Sequence, residues 1–202
     1  MILAGWSARE RFPHDLCNSL RTTISIVDAR WRARLPRCRA LAVSEAPVIL
    51  VDADACPVKE EVYRVAFRHE VAVAIVSNSH LRVPPHPLVR RVVVDAGFDA
   101  ADDWIAETAG PASVVVTADI LLADRCLKKG ATVLAPTGKP FTTASIGGAI
   151  ATRAIMADLR AGGEQLGGPA PFAKADRSRF LSALDETLVR LARRRREQAA
   201  GR

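Results

Sequence analysis

Short apolar runs alternate along the chain with longer segments in which apolar residues recur at helical spacing. This alternation begins at Val48 and continues to about residue 190. Strands that alternate with helices are typical of βαβ units, whose strands lie parallel in one sheet. We therefore predict an α/β protein: a three-layer α/β/α sandwich with a mainly parallel sheet of about five strands. The predicted strands are residues 48–51, 71–76, 91–94, 114–116 and 131–134.

The two ends of the chain lack this alternation. Residues 1–46 are poorly periodic and contain a basic run from Arg30 to Arg39. We expect these residues to be a weakly ordered, basic N-terminal extension, or the result of a start codon assigned too far upstream. The α/β domain is predicted to span residues 47–190, and residues 191–202 are predicted to form a basic C-terminal tail.

The positive charge is confined to these ends. Eight Lys/Arg against four Asp/Glu give residues 1–46 a charge of +4, and six against one give residues 190–202 a charge of +5. Because the whole chain has a formal charge of +7, the middle carries −2. We expect basic ends of this kind either to bind phosphate backbones or to remain solvated.

The composition favours the cytoplasm and excludes several classes. No apolar run approaches the ~18 residues that a membrane helix needs, and residues 1–6 lack the charged and apolar regions of a secretion signal. The four cysteines are widely spaced without a Cys-x-x-Cys pair, which argues against a zinc cage or a disulfide framework. We expect a cytoplasmic protein with free thiols and no membrane partner.

Two carboxylates follow the first predicted strand, at Asp52 and Asp54. The carboxyl ends of parallel strands face the crevice in which ligands bind. In extended chain, residues two apart point to the same side, so both acids can share one ion. Hard oxygen ligands suit Mg²⁺ or Mn²⁺. Alternatively, Asp54 only caps a helix whose first residue is Pro57.

A second strand of the same kind ends in Thr117 and Asp119. These residues are also two apart, so both are predicted to face the crevice. Asp124 lies five residues after Asp119, about 140° around the following helix, and should not reach the same ion. We therefore leave Asp124 out of the predicted metal site.

A third acidic group lies between residues 99 and 103. Asp99 is a plausible N-cap, and Asp102 and Asp103 would then lie in the first helical turn, where the helix dipole favours negative charge. The same group can instead supply a third carboxylate to the metal site.

The long connection after the second strand, residues 77–90, is predicted to lie over the crevice. It begins at the carboxyl end of a strand and contains Asn78 and Arg82. Arginine in such a position suits contact with phosphate groups. We therefore predict Asn78 and Arg82 to contact the substrate.

A linked set of motifs lies in residues 51–57, 81–85, 96–102, 117–120, 129–131 and 167–169. Together these motifs resemble the YaiI/YqxD family of bacterial proteins, and the resemblance covers about residues 47–190. It implies a PIN-like domain, a compact α/β/α sandwich that uses clustered acids around Mg²⁺ or Mn²⁺ to cut nucleic acid. In that pattern Asp52 is the acid of the first strand, and Thr117 with Asp119 is the Thr-x-Asp junction. The middle acid of the pattern corresponds to Asp99 or Asp102, and the spacing does not choose between them.

The leading hypothesis is thus a nuclease or phosphodiesterase that depends on a divalent metal, with nucleic acid as partner and RNA favoured over DNA. The ion would lower the pKa of a bound water and stabilise charge on the phosphoryl oxygens. The predicted catalytic residues are Asp52, Asp54 and Asp119. The predicted metal ligands are Asp52, Asp54, Asp99, Asp102 and Asp119, and the predicted substrate contacts are Asn78, Arg82 and Thr117.

Two other functions remain open. In a phosphatase of the haloacid dehalogenase type, Asp52 would be the nucleophile and Asp54 the acid/base. However, no acidic pair at a strand end follows Lys128 and Lys129, as that chemistry requires. The second alternative is a non-catalytic module that binds nucleotides or RNA. Three Trp and one Tyr give it few rings for base stacking.

Overall fold

One six-stranded sheet organises the computed structural model, which describes residues 46–54, 56–94, 97, 99–162 and 172–201. The strands are β1 Val48–Asp52, β2 Ala72–Ser77, β3 Val89–Val93, β4 Ser113–Val116, β5 Thr132–Leu134 and β6 Pro140–Phe141. The helices are α1 Lys59–Arg68, α2 Ala100–Thr108, α3 Ile120–Lys128, α4 Thr143–Ala161 and α5 Lys174–Ala200.

The strand order is β3-β2-β1-β4-β5-β6, and every neighbouring pair is parallel except β5 and β6. The five predicted strands and their mainly parallel arrangement are confirmed. The sixth strand is only two residues long and begins with a proline. It shows no periodic pattern in the sequence, because so short a strand at a sheet edge buries little apolar surface.

The core lies on both faces of the sheet because side chains alternate along each strand. Ile49 and Val51 of β1 belong to one buried cluster with residues of α1 and α5, including Val62 and Leu184. Leu50, between them, is equally buried and points to the opposite face, where α2 contacts β1 and β2. Helices thus cover both faces of the sheet, which confirms the three-layer fold.

The strand order reverses beside β1. The chain continues from β1 through α1 to β2 on one side, whereas it returns from β3 through α2 to β4 on the other side. Ligands of open α/β sheets bind at such a reversal, outside the carboxyl ends of the strands. Since Val51 pairs with Val116 in β4, Asp52 at the end of β1 and Thr117 directly after β4 lie side by side.

Helix α1 begins two residues later than the sequence indicates. It starts at Lys59, and Val58 occupies the N-cap position without a capping side chain in the described structure. Val58 is fully buried, so its packing in the core determines where the helix can begin. The interpretation of Pro57 as the first helical residue, with Asp54 as the cap, is therefore wrong. Asp54 lies exposed in the turn after β1.

Helix α5 lies alongside α1 and runs in the same direction. Near its start, Arg177 donates hydrogen bonds to the carbonyl oxygen of Pro57 (3.0 Å) and to Glu61 (3.1 Å). About two turns later, Asp185 accepts a hydrogen bond from Arg68 at the end of α1 (3.0 Å). Helix α5 therefore leads away from the carboxyl ends of the strands. Its buried face ends at Leu191.

The predicted ends of the chain fall partly outside the described residues. Residues 1–45 and Arg202 lie outside them, so the N-terminal extension stays a prediction. Residues 191–200 of the predicted C-terminal tail belong to α5. In the described part of the chain, Cys56 and Cys126 are free and buried, as expected.

Helix α4 packs mainly on α3 and covers little of the core. Ile146 is its one buried residue, and residues 151–158 are exposed throughout. No helix within the described ranges is long and apolar enough to cross a membrane.

Candidate functional site

The carboxylate of Asp52 ends β1 and is held by a threonine from the neighbouring strand. Asp52 is only 8 % exposed, and its Oδ2 accepts a hydrogen bond from Thr117 Oγ1 at 2.9 Å. The same Oγ1 accepts a hydrogen bond from the backbone N–H of Asp119 at 3.0 Å. One hydroxyl thus joins Asp52 to the start of α3. Because its hydrogen is already donated to Asp52, Thr117 is oriented as a support for that carboxylate.

Asp119 is the N-cap of α3. Its Oδ1 accepts hydrogen bonds from the backbone N–H groups of Leu121 (2.6 Å) and Leu122 (3.3 Å). This capping fixes the side chain, and the helix dipole favours its negative charge. Among the described residues, none donates a hydrogen bond to Asp119 Oδ2. That oxygen is therefore available to a ligand.

The other predicted acids lie in the turn after β1 and at the start of α2. Asp54 is exposed, and Asp99 occupies the N-cap position of α2 with a left-handed backbone (φ +62) but without a capping hydrogen bond. Asp102 and Asp103 lie in the first turn of α2, as predicted. Asp103 forms an ion pair with Arg125 at 2.6 Å, whereas Asp102 is half-buried.

These acids influence one another's protonation. Burial raises the pKa of Asp52, while the hydrogen bonds from Thr117 and from the backbone of Asp54 oppose that rise. The negative charges of Asp54 and Asp119 raise the pKa of Asp52 further. The carboxylate is therefore in a site where negative charge is incompletely compensated.

The pKa of Asp102 is also raised. Burial is the largest cause that raises its pKa, from 3.8 to about 6. Three further aspartates raise it by repulsion, and Arg125 lowers it. Those aspartates are Asp52, Asp119 and Asp99. The repulsion links acids from two strand ends and from the start of α2 in one electrostatic group, which we call the aspartate group.

The aspartate group suits Mg²⁺ or Mn²⁺ in its chemistry, because all its donors are carboxylate oxygens and its negative charge is incompletely compensated. Within the ranges that the structure describes, however, no three His, Cys, Asp or Glu side chains are grouped so that they could hold a metal ion. The metal site therefore stays a prediction, supported by donor type and charge.

The two loop residues predicted to contact a substrate, Asn78 and Arg82, are exposed. They follow the end of β2, which pairs with β1 so that Val76 lies opposite Asp52. The loop is organised by Ser77, whose Oγ donates a hydrogen bond to the carbonyl oxygen of Ser79 at 2.6 Å. Asn78 thus lies at the same edge of the sheet as the acids. Arg82 lies further along the connection, which crosses back to the start of the parallel strand β3, and the neighbouring Leu81 accepts a hydrogen bond from Arg91 of that strand (3.1 Å). Neither Asn78 nor Arg82 forms a hydrogen bond with the acids in the described structure.

Sequence reasoning missed one basic residue at the site, Arg153 of α4. Its Nη1 lies 3.9 Å from Asp119 Oδ1, and its side chain is 48 % exposed. A signal existed: Arg153 lies seven residues after Ile146, so both are on one face of the helix. An arginine that follows Ile146 and Ile150 on one helix face indicates a polar partner in the tertiary structure.

Comparison with known proteins identifies the family of this chain. The sequence profile described as "Uncharacterized BCR, YaiI/YqxD family" matches residues 50–190. The chain belongs to the YaiI/YqxD family. Its relatives include a UPF0178 protein of Sphingopyxis alaskensis, 76% identical over 149 residues, which are 73% of this chain and 97% of that protein.

Two further relatives extend this result. A UPF0178 protein of Bradyrhizobium diazoefficiens is 61% identical over 152 residues, 75% of this chain and 91% of the relative. A UPF0178 protein of Nitrobacter winogradskyi is 59% identical over 145 residues, which are 72% of this chain and 92% of the relative. No solved structure matches the chain. Membership of the YaiI/YqxD family is thus confirmed, whereas the PIN-like assignment stays a prediction.

Proposed function

We propose that this YaiI/YqxD protein is a phosphodiesterase that depends on a divalent cation and cleaves nucleic acid, with RNA favoured over DNA. The observation that carries the proposal is the hydrogen bond from Thr117 to Asp52. It fixes a buried carboxylate at the point where the strand order reverses, and the same hydroxyl accepts a hydrogen bond from the backbone N–H of Asp119 at the start of α3. Reaction sites of open α/β sheets lie at this position.

Mg²⁺ or Mn²⁺ would be held by Asp52 and Asp119, with water and the substrate's phosphate as further ligands, while Asp54, Asp99 and Asp102 would add negative charge. When bound, such an ion activates water and stabilises charge on phosphoryl oxygens. Burial and repulsion from neighbouring aspartates raise the pKa of the half-buried Asp102 to about 6, and a bound cation would lower it by offsetting that repulsion. Thr117 positions Asp52, because its hydroxyl hydrogen is donated to that carboxylate.

Arg153 is the side chain that suits the substrate's phosphate. Its guanidinium has five N–H donors, and in the described structure its one ion pair is the long contact to Asp119. Guanidinium groups bind phosphate through two parallel hydrogen bonds. Arg153 would therefore hold the phosphate beside the carboxylates, with Asn78 and Arg82 contacting the adjoining nucleotide from the loop after β2.

The experiment compares cleavage of a labelled single-stranded RNA by the wild-type chain and by Asp52→Asn and Asp119→Asn variants, with Mg²⁺, Mn²⁺ or a chelator. We expect cleavage only with the metal, and a loss of at least about a hundredfold in each variant. Asp124→Asn is the matched control, because Asp124 pairs with Lys128 on the surface of α3 (2.7 Å). Its activity should equal that of the wild type.

Other results would replace the proposal. Unchanged cleavage in Asp119→Asn would contradict the assigned site. Release of phosphate from a small phosphomonoester, with a covalent intermediate on Asp52, would indicate the phosphatase chemistry instead. RNA binding that survives chelation without any cleavage would indicate a binding module.

A further inference from the structure

The last turns of α5 carry a dense group of arginines that the aspartate site does not use. Between Arg190 and Ala200 the helix has five arginines and one acid, Glu197. In this part of the helix, Leu191 is the last buried residue, so the helix extends beyond the apolar core. We call this segment the arginine end; its basic residues are Arg190, Arg193, Arg194, Arg195 and Arg196.

Three of these arginines share one face of the helix. Arg190, Arg193 and Arg194, together with Glu197, line a concavity of about 220 Å³. Their spacing of three and four residues makes them neighbours on the helix surface. The arginine end therefore presents several guanidinium groups to one side.

The guanidinium groups outnumber the acceptors near them. Arg193 pairs with Glu197 at 2.7 Å, and Arg190 lies 3.8 Å from Glu186. Neither Arg194 nor Arg196 forms an ion pair with any residue that the structure describes. Exposed ion pairs within a helix contribute little free energy, so an anionic ligand can displace them readily.

We propose that the arginine end is a binding surface for the phosphate backbone of a nucleic acid. All its cations are arginines, whose planar guanidinium binds phosphate through two hydrogen bonds. Several neighbouring cations on one face can contact successive phosphates of a nucleic acid, and the release of counterions from those phosphates drives binding.

The sequence of the arginine end disfavours two other anionic partners. Residues 192–200 contain no large apolar side chain. A helix that lies on a membrane needs an apolar face, and here the leucine face up to Leu191 is used by the core. A protein interface usually has large apolar or aromatic side chains at its centre, and residues 192–200 contain none.

The arginine end lies far from the aspartate group. Arg177 is beside Pro57 at the start of α1, and Arg193 is sixteen residues further along α5, about 24 Å at 1.5 Å per residue. Because α5 leads away from the carboxyl ends of the strands, the arginine end is beyond the opposite edge of the sheet. Binding there needs neither the acids nor a divalent cation, so this proposal does not depend on the proposed activity.

The test measures binding of a fluorescein-labelled single-stranded RNA of about 20 nucleotides to the full chain by anisotropy, with a chelator present, over a series of salt concentrations. In the Arg193→Ala/Arg194→Ala variant we expect roughly tenfold weaker binding at about 0.15 M salt. The slope of log K against log salt should fall by about 1.4, since each lost contact to a single strand removes about 0.7. Alanine keeps the helix, which circular dichroism checks.

The matched control is Arg64→Ala/Arg160→Ala. It removes the same charge from exposed positions on α1 and α4 that make no ion pair within the described structure. Its affinity should stay within about twofold of the wild type. An equal loss of RNA affinity in both variants would show only a general effect of net charge. Unchanged affinity in Arg193→Ala/Arg194→Ala would show that the arginine end does not bind RNA. Either result overturns the proposal. So would a loss of binding to anionic vesicles or polyglutamate without a loss for RNA.

Discussion

Thr117 donates a hydrogen bond to Asp52 across the ends of two neighbouring parallel strands, at 2.9 Å. The donor and the acceptor are both almost fully buried. The two residues are separated by 65 positions in the chain, so this contact exists only after β1 and β4 have paired. It connects the formation of the sheet directly to the orientation of the candidate catalytic carboxylate.

Removing the hydroxyl should therefore affect both stability and titration. In Thr117→Val the shape is nearly kept, but the buried Asp52 loses its side-chain donor. We expect a loss of about 1–3 kcal/mol in the free energy of unfolding near neutral pH, measured by denaturant unfolding. The pKa of Asp52 should rise further, because the hydrogen bond that lowers it is gone. Thr117→Ser keeps the hydroxyl and should keep the titration of Asp52; the same upward shift in both variants would rule out the hydrogen bond as its cause.

The pKa of Asp102 should respond to changes in other elements. Its value of about 6 includes repulsion from Asp52 and Asp119. Both Asp52→Asn and Asp119→Asn should lower it, as measured by NMR titration of the carboxyl carbon. Asp124→Asn should leave it unchanged. If the neutral variants do not lower the pKa, the acids do not form one electrostatic group.

The same titration predicts how stability depends on pH. The folded chain binds a proton at Asp102 more tightly than the unfolded chain, because its pKa is raised from 3.8 to about 6. The resulting stabilisation is fully present below about 3.8 and is lost as the pH rises through about 6. An Asp102→Asn variant should therefore lose less stability than the wild type between these pH values. Thermal unfolding across that range measures the difference, and parallel curves would contradict it.

Gly138 should not tolerate a side chain. It lies in the turn between β5 and β6 with φ +83, and an added Cβ would be 2.7 Å from backbone atoms of both Arg179 and Phe180 in α5. Gly138→Ala should therefore cost more than the roughly 1–2 kcal/mol of a left-handed backbone alone. Gly148→Ala is the control, because a Cβ there meets nothing within 4 Å. In helix α4 that change should be neutral or should stabilise the protein; denaturant unfolding compares the two.

Arg153 should matter for substrate affinity if the proposed function is correct. Arg153→Ala should raise the KM for a phosphodiester by about tenfold, since a charged hydrogen bond contributes about 1.5–3 kcal/mol. The value of kcat should change less. Arg160→Ala, in the last turn of the same helix, is the control and should leave both constants unchanged. A fall in kcat with an unchanged KM would indicate that Arg153 acts through Asp119 rather than on the substrate.

The sequence predicted local elements well where they were periodic. The predicted first strand, residues 48–51, ends one residue before the observed end of β1 at Asp52, and α3 begins after Asp119 and ends before Gly130. The predicted start of α1 at Pro57 was wrong, because the burial of Val58 outweighed the preference of proline for the first helical turn. The two-residue β6 was missed because it has no repeat from which a pattern could be read.

By itself, then, the sequence determined the α/β class, the family and the acids at the strand ends, because hydrophobic periodicity and strand-end chemistry are local properties. Tertiary structure alone decided the rest. The strand order brings Thr117 beside Asp52, and helix packing brings Arg153 to Asp119. The direction of α5 carries the arginine end away from the acids. Each of these relationships joins residues far apart in the chain, and such distances are fixed only when strands pair and helices pack.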